Sequence, residues 1–300
     1  MVDRRKALRG AARVAVSLGI ASYILYDVNR GHLLRALMQV RPQYLAEAIL
    51  LYAVGQVLSG LKWAMLGRSV GLKRPWGEYI RFYFIGMFFN IFGLSTLGGD
   101  LVRALYLGGG HRLGLAINSV MFDRGSGLAI LMALGSVALL LYPQPHLPWL
   151  LTAAAIGGGI ALIVSWWTCP RLVRLLPEHN ALRRQVEVDL LPFWRDSWLL
   201  VRVGLVSLAF HLSQVLVQYV LVQAAGAQVP LSYCLVFHPI LSVMMALPVS
   251  LGGFGVREGG YLYFLTQIDV DDSIAVTTGL LWWAMSVLVG LIGGVMFLAS

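Results

Sequence analysis

Thr96-Leu97-Gly98-Gly99-Asp100-Leu101-Val102-Arg103 and Ser250-Leu251-Gly252-Gly253-Phe254-Gly255-Val256-Arg257 repeat one pattern 154 positions apart. Five of the eight positions are identical, and a sixth carries a hydroxyl in both. Each copy sets a Gly-Gly break and an arginine inside a stretch otherwise fit for lipid. An intramembrane charge is expensive and is usually kept for function. Matching interruptions in two halves of a membrane protein point to a transport site built from broken helices.

The 300 residues around these motifs are 58% hydrophobic and 12% charged. Soluble domains carry about 25% charged residues. The apolar runs are helix-length rather than the alternating segments of a membrane barrel. The composition predicts a single all-α polytopic membrane domain over residues 1–300. Net charge is +9, but the 23 Lys and Arg gather in connecting segments, as orientation signals do, so no nucleic-acid partner is expected. Cys169 and Cys234 fall near opposite ends of predicted spans, which implies no disulfide and no metal spacing. Neither a metal nor another cofactor is expected.

Six segments read as full crossings, at about 8–28, 44–66, 116–141, 149–167, 199–224 and 273–298. Arg4, Arg5, Lys6 and Arg9 precede the first, and no small-residue cleavage site follows, so it reads as an uncleaved helix. Two further regions, about 79–108 and 231–268, hold the repeated motifs. Each has an apolar arm, the break and a shorter arm.

Arg68, Lys73, Arg74 and Arg81 make one link basic, and Arg171, Arg174, Arg183, Arg184 and Arg195 another. The segments 142–148, 225–232 and 258–272 contain no Lys or Arg. The positive-inside rule places the basic links and both termini in the cytoplasm, as for a bacterial cytoplasmic-membrane protein. Residues 29–43 disagree, since they fall outside yet hold Arg30, Arg35 and Arg41. Leu33, Leu34, Leu37 and Met38 recur there at helical spacing, which predicts an interfacial helix. Each motif region starts and ends on one side, so it is a re-entrant hairpin or a pair of short crossings. Three full spans separate the two, so inverted re-entrant helical hairpins with tips meeting near the midplane are expected. Re-entrant backbone needs protein or water around it.

Glycine permits unusual torsions and close approach of a ligand to the backbone. A helix starting beyond Gly98-Gly99 or Gly252-Gly253 aims unpaired N–H groups at the break, where an anion is favoured. Arg103 and Arg257 stand four residues past the second glycine of each pair. Helical side chains lean toward the N-terminus, so each guanidinium can reach a phosphate or carboxylate held there. A purely structural reading pairs Arg103 with Asp100 at i, i+3 and Arg257 with a carboxylate from another helix. Asp100 is placed to cap its half-helix. Asn90 is placed to bond the backbone at the break, and Pro248 removes a donor before the second one. Asp123 and Arg124 are neighbours and need separate partners. Arg124 either reaches the first hairpin or marks the cytoplasmic boundary. Asp100, Asp123 and Glu258 are the titrating candidates for coupled transport. His211 and His238 read as hydrogen-bonded packing residues.

Asn90–Arg103 (NIFGLSTLGGDLVR), Asp123-Arg124-Gly125 and Leu247–Gly259 (LPVSLGGFGVREG) resemble signatures of the lysylphosphatidylglycerol synthase transmembrane, or flippase-like, family. Lys62-Trp63 and Gly293-Gly294 are similar to it as well. The likeness runs from about residue 8 to 298 and extends to the membrane module of multiple peptide resistance factors. Leu94 stands where the family usually has proline, and Asp123-Arg124 where it often has Glu-Arg. No soluble aminoacyl-transferase domain is expected in this chain, so the head-group chemistry of two-domain synthases is not expected either.

The resemblance implies translocation of an anionic or modified phospholipid, or a polyprenyl-phosphate lipid, between leaflets. The candidate substrate-binding residues are Arg103, Arg257, Gly98, Gly99, Gly252, Gly253, Asp100, Asn90, Arg124 and Glu258. An enzyme is not expected, because the six histidines are scattered and no paired-carboxylate motif occurs. The alternative is a non-catalytic membrane partner of a lipid synthase or glycosyltransferase, docked through the basic link 168–198. A homo-oligomer is compatible with either.

Overall fold

The computed structural model describes residues 30–92, 98–144, 146–246, 253 and 255–300. The predicted span 8–28, Leu94, Pro248 and Gly252 lie outside the described residues. In chain order the helices are α1 (Arg30–Met38), α2 (Pro42–Ser69), α3 (Trp76–Phe92), α4 (Gly98–Gly108), α5 (Leu113–Leu141) and α6 (Trp149–Leu172). After a short 3₁₀ turn follow α7 (Ala181–Arg184), a π-helical turn, α8 (Leu191–Arg195), α9 (Ser197–Ala224), α10 (Leu231–Ala246), α11 (Val256–Thr266) and α12 (Asp272–Leu298). No strand occurs among the described residues.

Five of these helices, α2, α5, α6, α9 and α12, are long and apolar enough to cross a membrane. They coincide with the five predicted spans that fall within the described residues. Their ends follow local chemistry. Pro42 opens α2 just after an extended Arg41, where a missing N–H costs nothing. Asp196 caps α9 by accepting from Leu199 N at 2.9 Å, and Asp271 caps α12 by accepting from Ser273 N at 2.8 Å.

The long helices α2 and α9 pack side by side, and the shorter ones are arranged around them. The first motif region is the helix pair α3–α4, seated between α5 and α12. The second is α10 and α11, packed on α5, α9 and α12. Gly293 and Gly294 let α12 lie directly on α3. A Cβ on Gly293 would strike the Phe84 carbonyl, and one on Gly294 would meet the Phe88 ring at 2.8 Å. By contrast α6 is peripheral, with Gly159 its one buried residue.

The interfacial helix expected over 29–43 is α1. It buries Leu33 and Ala36, with Leu33 against Val276 of α12, and leaves Leu34 and Met38 exposed.

Candidate functional site

The first motif does not hold a break open at its glycines. Gly98 and Gly99 begin α4, and neither takes a positive φ. Gly99 serves close approach: a Cβ on Gly86 of α3 would lie 2.7 Å from the Gly99 carbonyl oxygen, and one on Gly99 would collide with the Gly86 carbonyl, whereas one on Gly98 would have room. The two arms therefore meet backbone to backbone. Asn90 Oδ1 accepts from Gly99 N at 2.9 Å and satisfies a donor of the first turn. Turning by glycine belongs to the second motif, where Gly253 and Gly255 have φ of +80° and +86°.

This closure sets a chain of buried charges below the tip. Arg103 Nη2 lies 3.0 Å from Asp123 Oδ2, and its Nε lies 3.2 Å from Asp100 Oδ1. Asp100 also pairs with Arg124, so it bridges two arginines. The backbone just before Gly98, which Asp100 is expected to cap, lies outside the described residues. Asp123 is shared in turn: Lys62 Nζ sits 2.9 Å from its Oδ1 and donates to its backbone oxygen at 2.9 Å. Lys62, Arg103 and Asp123 are buried, whereas Arg124 is about half-exposed, with its side chain 48% accessible. Asp123 and Arg124 thus serve different partners, as adjacent helical residues must. The Arg103 guanidinium carbon is also 4.9 Å from the Trp63 ring and 5.2 Å from the Tyr83 ring, an arrangement attractive for a cation. Trp63 is held by Nε1 donating to Ser119 Oγ at 3.1 Å.

The cluster brings three cations to two carboxylates, leaving one positive charge in excess. Among the described residues, Arg103 Nη1 finds no hydrogen-bond partner. Beside the cluster is a cavity of 460 Å³ whose wall includes Lys62, Asn90, Asp100, Arg103, Asp123 and Arg124. His211 lines it too, and its Nε2 lies 3.0 Å from the Gly127 carbonyl oxygen. Ala246, the last described residue before the second break, is on the same wall. The descending arm of the second motif region therefore reaches the cavity made by the first.

The second motif is built differently. Arg257 does not line this cavity. Its Nε and Nη2 both donate to Glu258 Oε1, at 3.0 and 2.7 Å. Glu258 Oε2 accepts from Gly255 N at 2.7 Å. The expected partner from another helix is thus replaced by the adjacent residue, whose carboxylate folds back over the start of α11. That carboxylate occupies the position an external anion would take at the helix start. The Arg257 guanidinium also lies 5.4 Å from the Trp282 ring. Arg257 is 2% exposed and Arg103 4%, and of the two only Arg103 lines the 460 Å³ cavity.

Lys62 is the member that the motif pattern does not contain. Its signal is present all the same, since it is a lone lysine inside a predicted crossing, and such a charge needs a partner. Gly98, Gly99, Asn90, Asp100, Arg103 and Arg124 are brought together, whereas Gly253, Arg257 and Glu258 form a separate closed knot. Among the described residues, no group of three or more His, Cys, Asp or Glu side chains gathers as metal ligands.

Residues 10–294 match the model of the family described as the lysylphosphatidylglycerol synthase TM region. No curated protein matches the chain.

Proposed function

Because the chain belongs to the lysylphosphatidylglycerol synthase transmembrane-region family, we propose that it moves a phosphate-bearing lipid, a phospholipid or polyprenyl phosphate, between membrane leaflets. The observation that carries this reading is the buried cluster with one excess positive charge on the wall of a 460 Å³ cavity. Lys62, Arg103 and Arg124 are the groups that meet the phosphate, with Arg103 offering the planar fork suited to it. Arg124, half-exposed, stands at the mouth. No bond-making chemistry is assigned to the site.

A second feature supports a lipid over a soluble anion. A largely apolar crevice of 400 Å³ lies between α5, α6 and α10, and it shares Leu128 with the charged cavity. Met132, Leu139, Leu151, Pro239 and Met244 line it. A cavity with charged groups on part of its wall, beside an apolar slot, suits a molecule with a charged head and a hydrocarbon tail. The basic links after α2 and α6 face the cytoplasm in this reading. The two motif regions are then hairpins entering from opposite sides, and the protein sits in the cytoplasmic membrane of a bacterium.

The test is reconstitution into liposomes carrying a head-group-labelled phosphatidylglycerol, with label reduced from one side only. Wild-type protein should expose inner-leaflet label faster than protein-free liposomes. A charge-assisted hydrogen bond contributes roughly 1.5–3 kcal/mol, so Arg103→Ala should slow the process by about tenfold or more. Label exposed no faster than in protein-free liposomes, with either phosphatidylglycerol or a polyprenyl phosphate, would reject transport. The non-catalytic partner reading would then lead.

A further inference from the structure

Two of the arginines that break the charge rule converge on one pocket. Arg35 and Arg41 line a second cavity, of 500 Å³, together with His32, Gln39, Asp271 and Ser273. The end of α1, the C-terminal turn of α9 and the capped start of α12 form its walls. Both arginines are exposed. Arg35 Nε bonds the Gly31 carbonyl at 3.3 Å, and the ion pairs among the described residues involve neither guanidinium.

The position of this pocket is set by α2. Arg41 precedes its first residue, and Lys62 of the charged cavity lies near its other end. Twenty-one residues of α-helix span roughly 30 Å, about the hydrocarbon thickness of a bilayer. Arg41 and Lys62, one in each basic cavity, therefore stand about one hydrocarbon thickness apart along one membrane-crossing helix. The remaining links on the Arg41 side carry no Lys or Arg, so these basic residues oppose the orientation signal. A departure from that signal calls for a use. The same short helix offers a reason to look to lipid, since Leu34 and Met38 are 57% and 83% exposed beside Arg35. An amphipathic helix of this kind lies with its apolar side chains among acyl chains and its cations at head-group level.

We propose that the Arg35–Arg41 pocket binds the phosphodiester head group of a lipid in the leaflet opposite the one met by the Lys62–Arg103 cavity. The two guanidiniums hold the phosphate oxygens, and Asp271 stays engaged with the backbone of Ser273. The inference uses the orientation adopted above but does not need the protein to move lipid.

The test is photocrosslinking of the full chain in phosphatidylcholine vesicles doped with phosphatidylglycerol bearing a diazirine on its head group. Peptide mapping should recover label on residues 30–44 and 268–276. Replacing both arginines, Arg35→Ala with Arg41→Ala, should lower that label about fivefold, the scale of exposed charge pairs. Arg35→Lys with Arg41→Lys should retain most of it. Wild-type protein that labels here yet moves no lipid in the liposome assay would reject transport and keep this site. Label on these peptides that is unaffected by the alanine pair overturns the proposal. So does label erased by inorganic phosphate at constant ionic strength but not by unlabelled phosphatidylglycerol, because the pocket would then serve a small anion.

Discussion

Gly99 and Gly86 touch through their backbones, and each leaves no room for a side chain on the other. This contact fixes the spacing of α3 and α4. Asp100 and Arg103, which follow Gly99 on α4, are positioned from it.

Gly99→Ala is therefore expected to destabilise the protein by about 1–3 kcal/mol, the usual cost of overpacking. Gly98→Ala is the matched control, because its nearest contact would be the Phe89 carbonyl oxygen at 4.0 Å. Thermal unfolding in detergent should show a lower midpoint for the first variant and little change for the second. Equal midpoints would mean that the arms are not pinned at this point.

Asp123 serves two buried cations, whereas Lys62 serves one carboxylate. Removing one partner of a buried pair costs roughly 3–5 kcal/mol, because a charge is left uncompensated. Asp123→Asn should accordingly lower stability more than Lys62→Met does. Adding Lys62→Met to Asp123→Asn should restore part of the loss. A strictly additive double variant in denaturation experiments would show that the two residues do not act as a pair.

Arg257 and Glu258 should behave as one structural unit. Arg257→Ala and Glu258→Ala are each expected to reduce the yield of folded protein, and the double variant should be less affected than their sum. Whatever Arg257→Ala protein folds should move lipid at near the wild-type rate per molecule. A well-folded variant that is at least about tenfold slower would return Arg257 to the transport path.

Gly158 lines the apolar crevice, and a Cβ built on it meets nothing within 4 Å. Gly158→Phe should fill the slot without strain. Liposome assays are expected to show slower lipid movement with an unchanged unfolding midpoint. Unaltered movement would separate the crevice from the tail.

The crossings within the described residues were legible because length and apolarity alone decide them. The motif regions were legible as interruptions, but not their inner construction. Sequence spacing made Arg103 and Arg257 look equivalent, four residues past a glycine pair. They differ because Glu258 follows Arg257 and can fold over the start of α11, while Val102 and Ala104 flank Arg103 and force it to seek Asp100 and Asp123. Gly98-Gly99 reads as a hinge, since a glycine used for close packing and one used for a turn have the same letter. Only the proximity of Gly86 distinguishes them. Lys62 entered the sequence reading only through its likeness to the family, because its partner lies 61 positions away, beyond the reach of periodicity.

Asp123 on α5 grips Lys62 on α2 and Arg103 on α4 at once, so one carboxylate ties three helices together. Any incoming phosphate that takes Arg103 must compete with this resident anion. Binding is then an exchange, and its strength is the difference between two ion pairs. Such a site favours turnover over retention, because each departure of the guest is assisted by the return of the host. Under the proposed function, the same exchange would loosen α4 from α5 only while the guest is present, with no separate trigger.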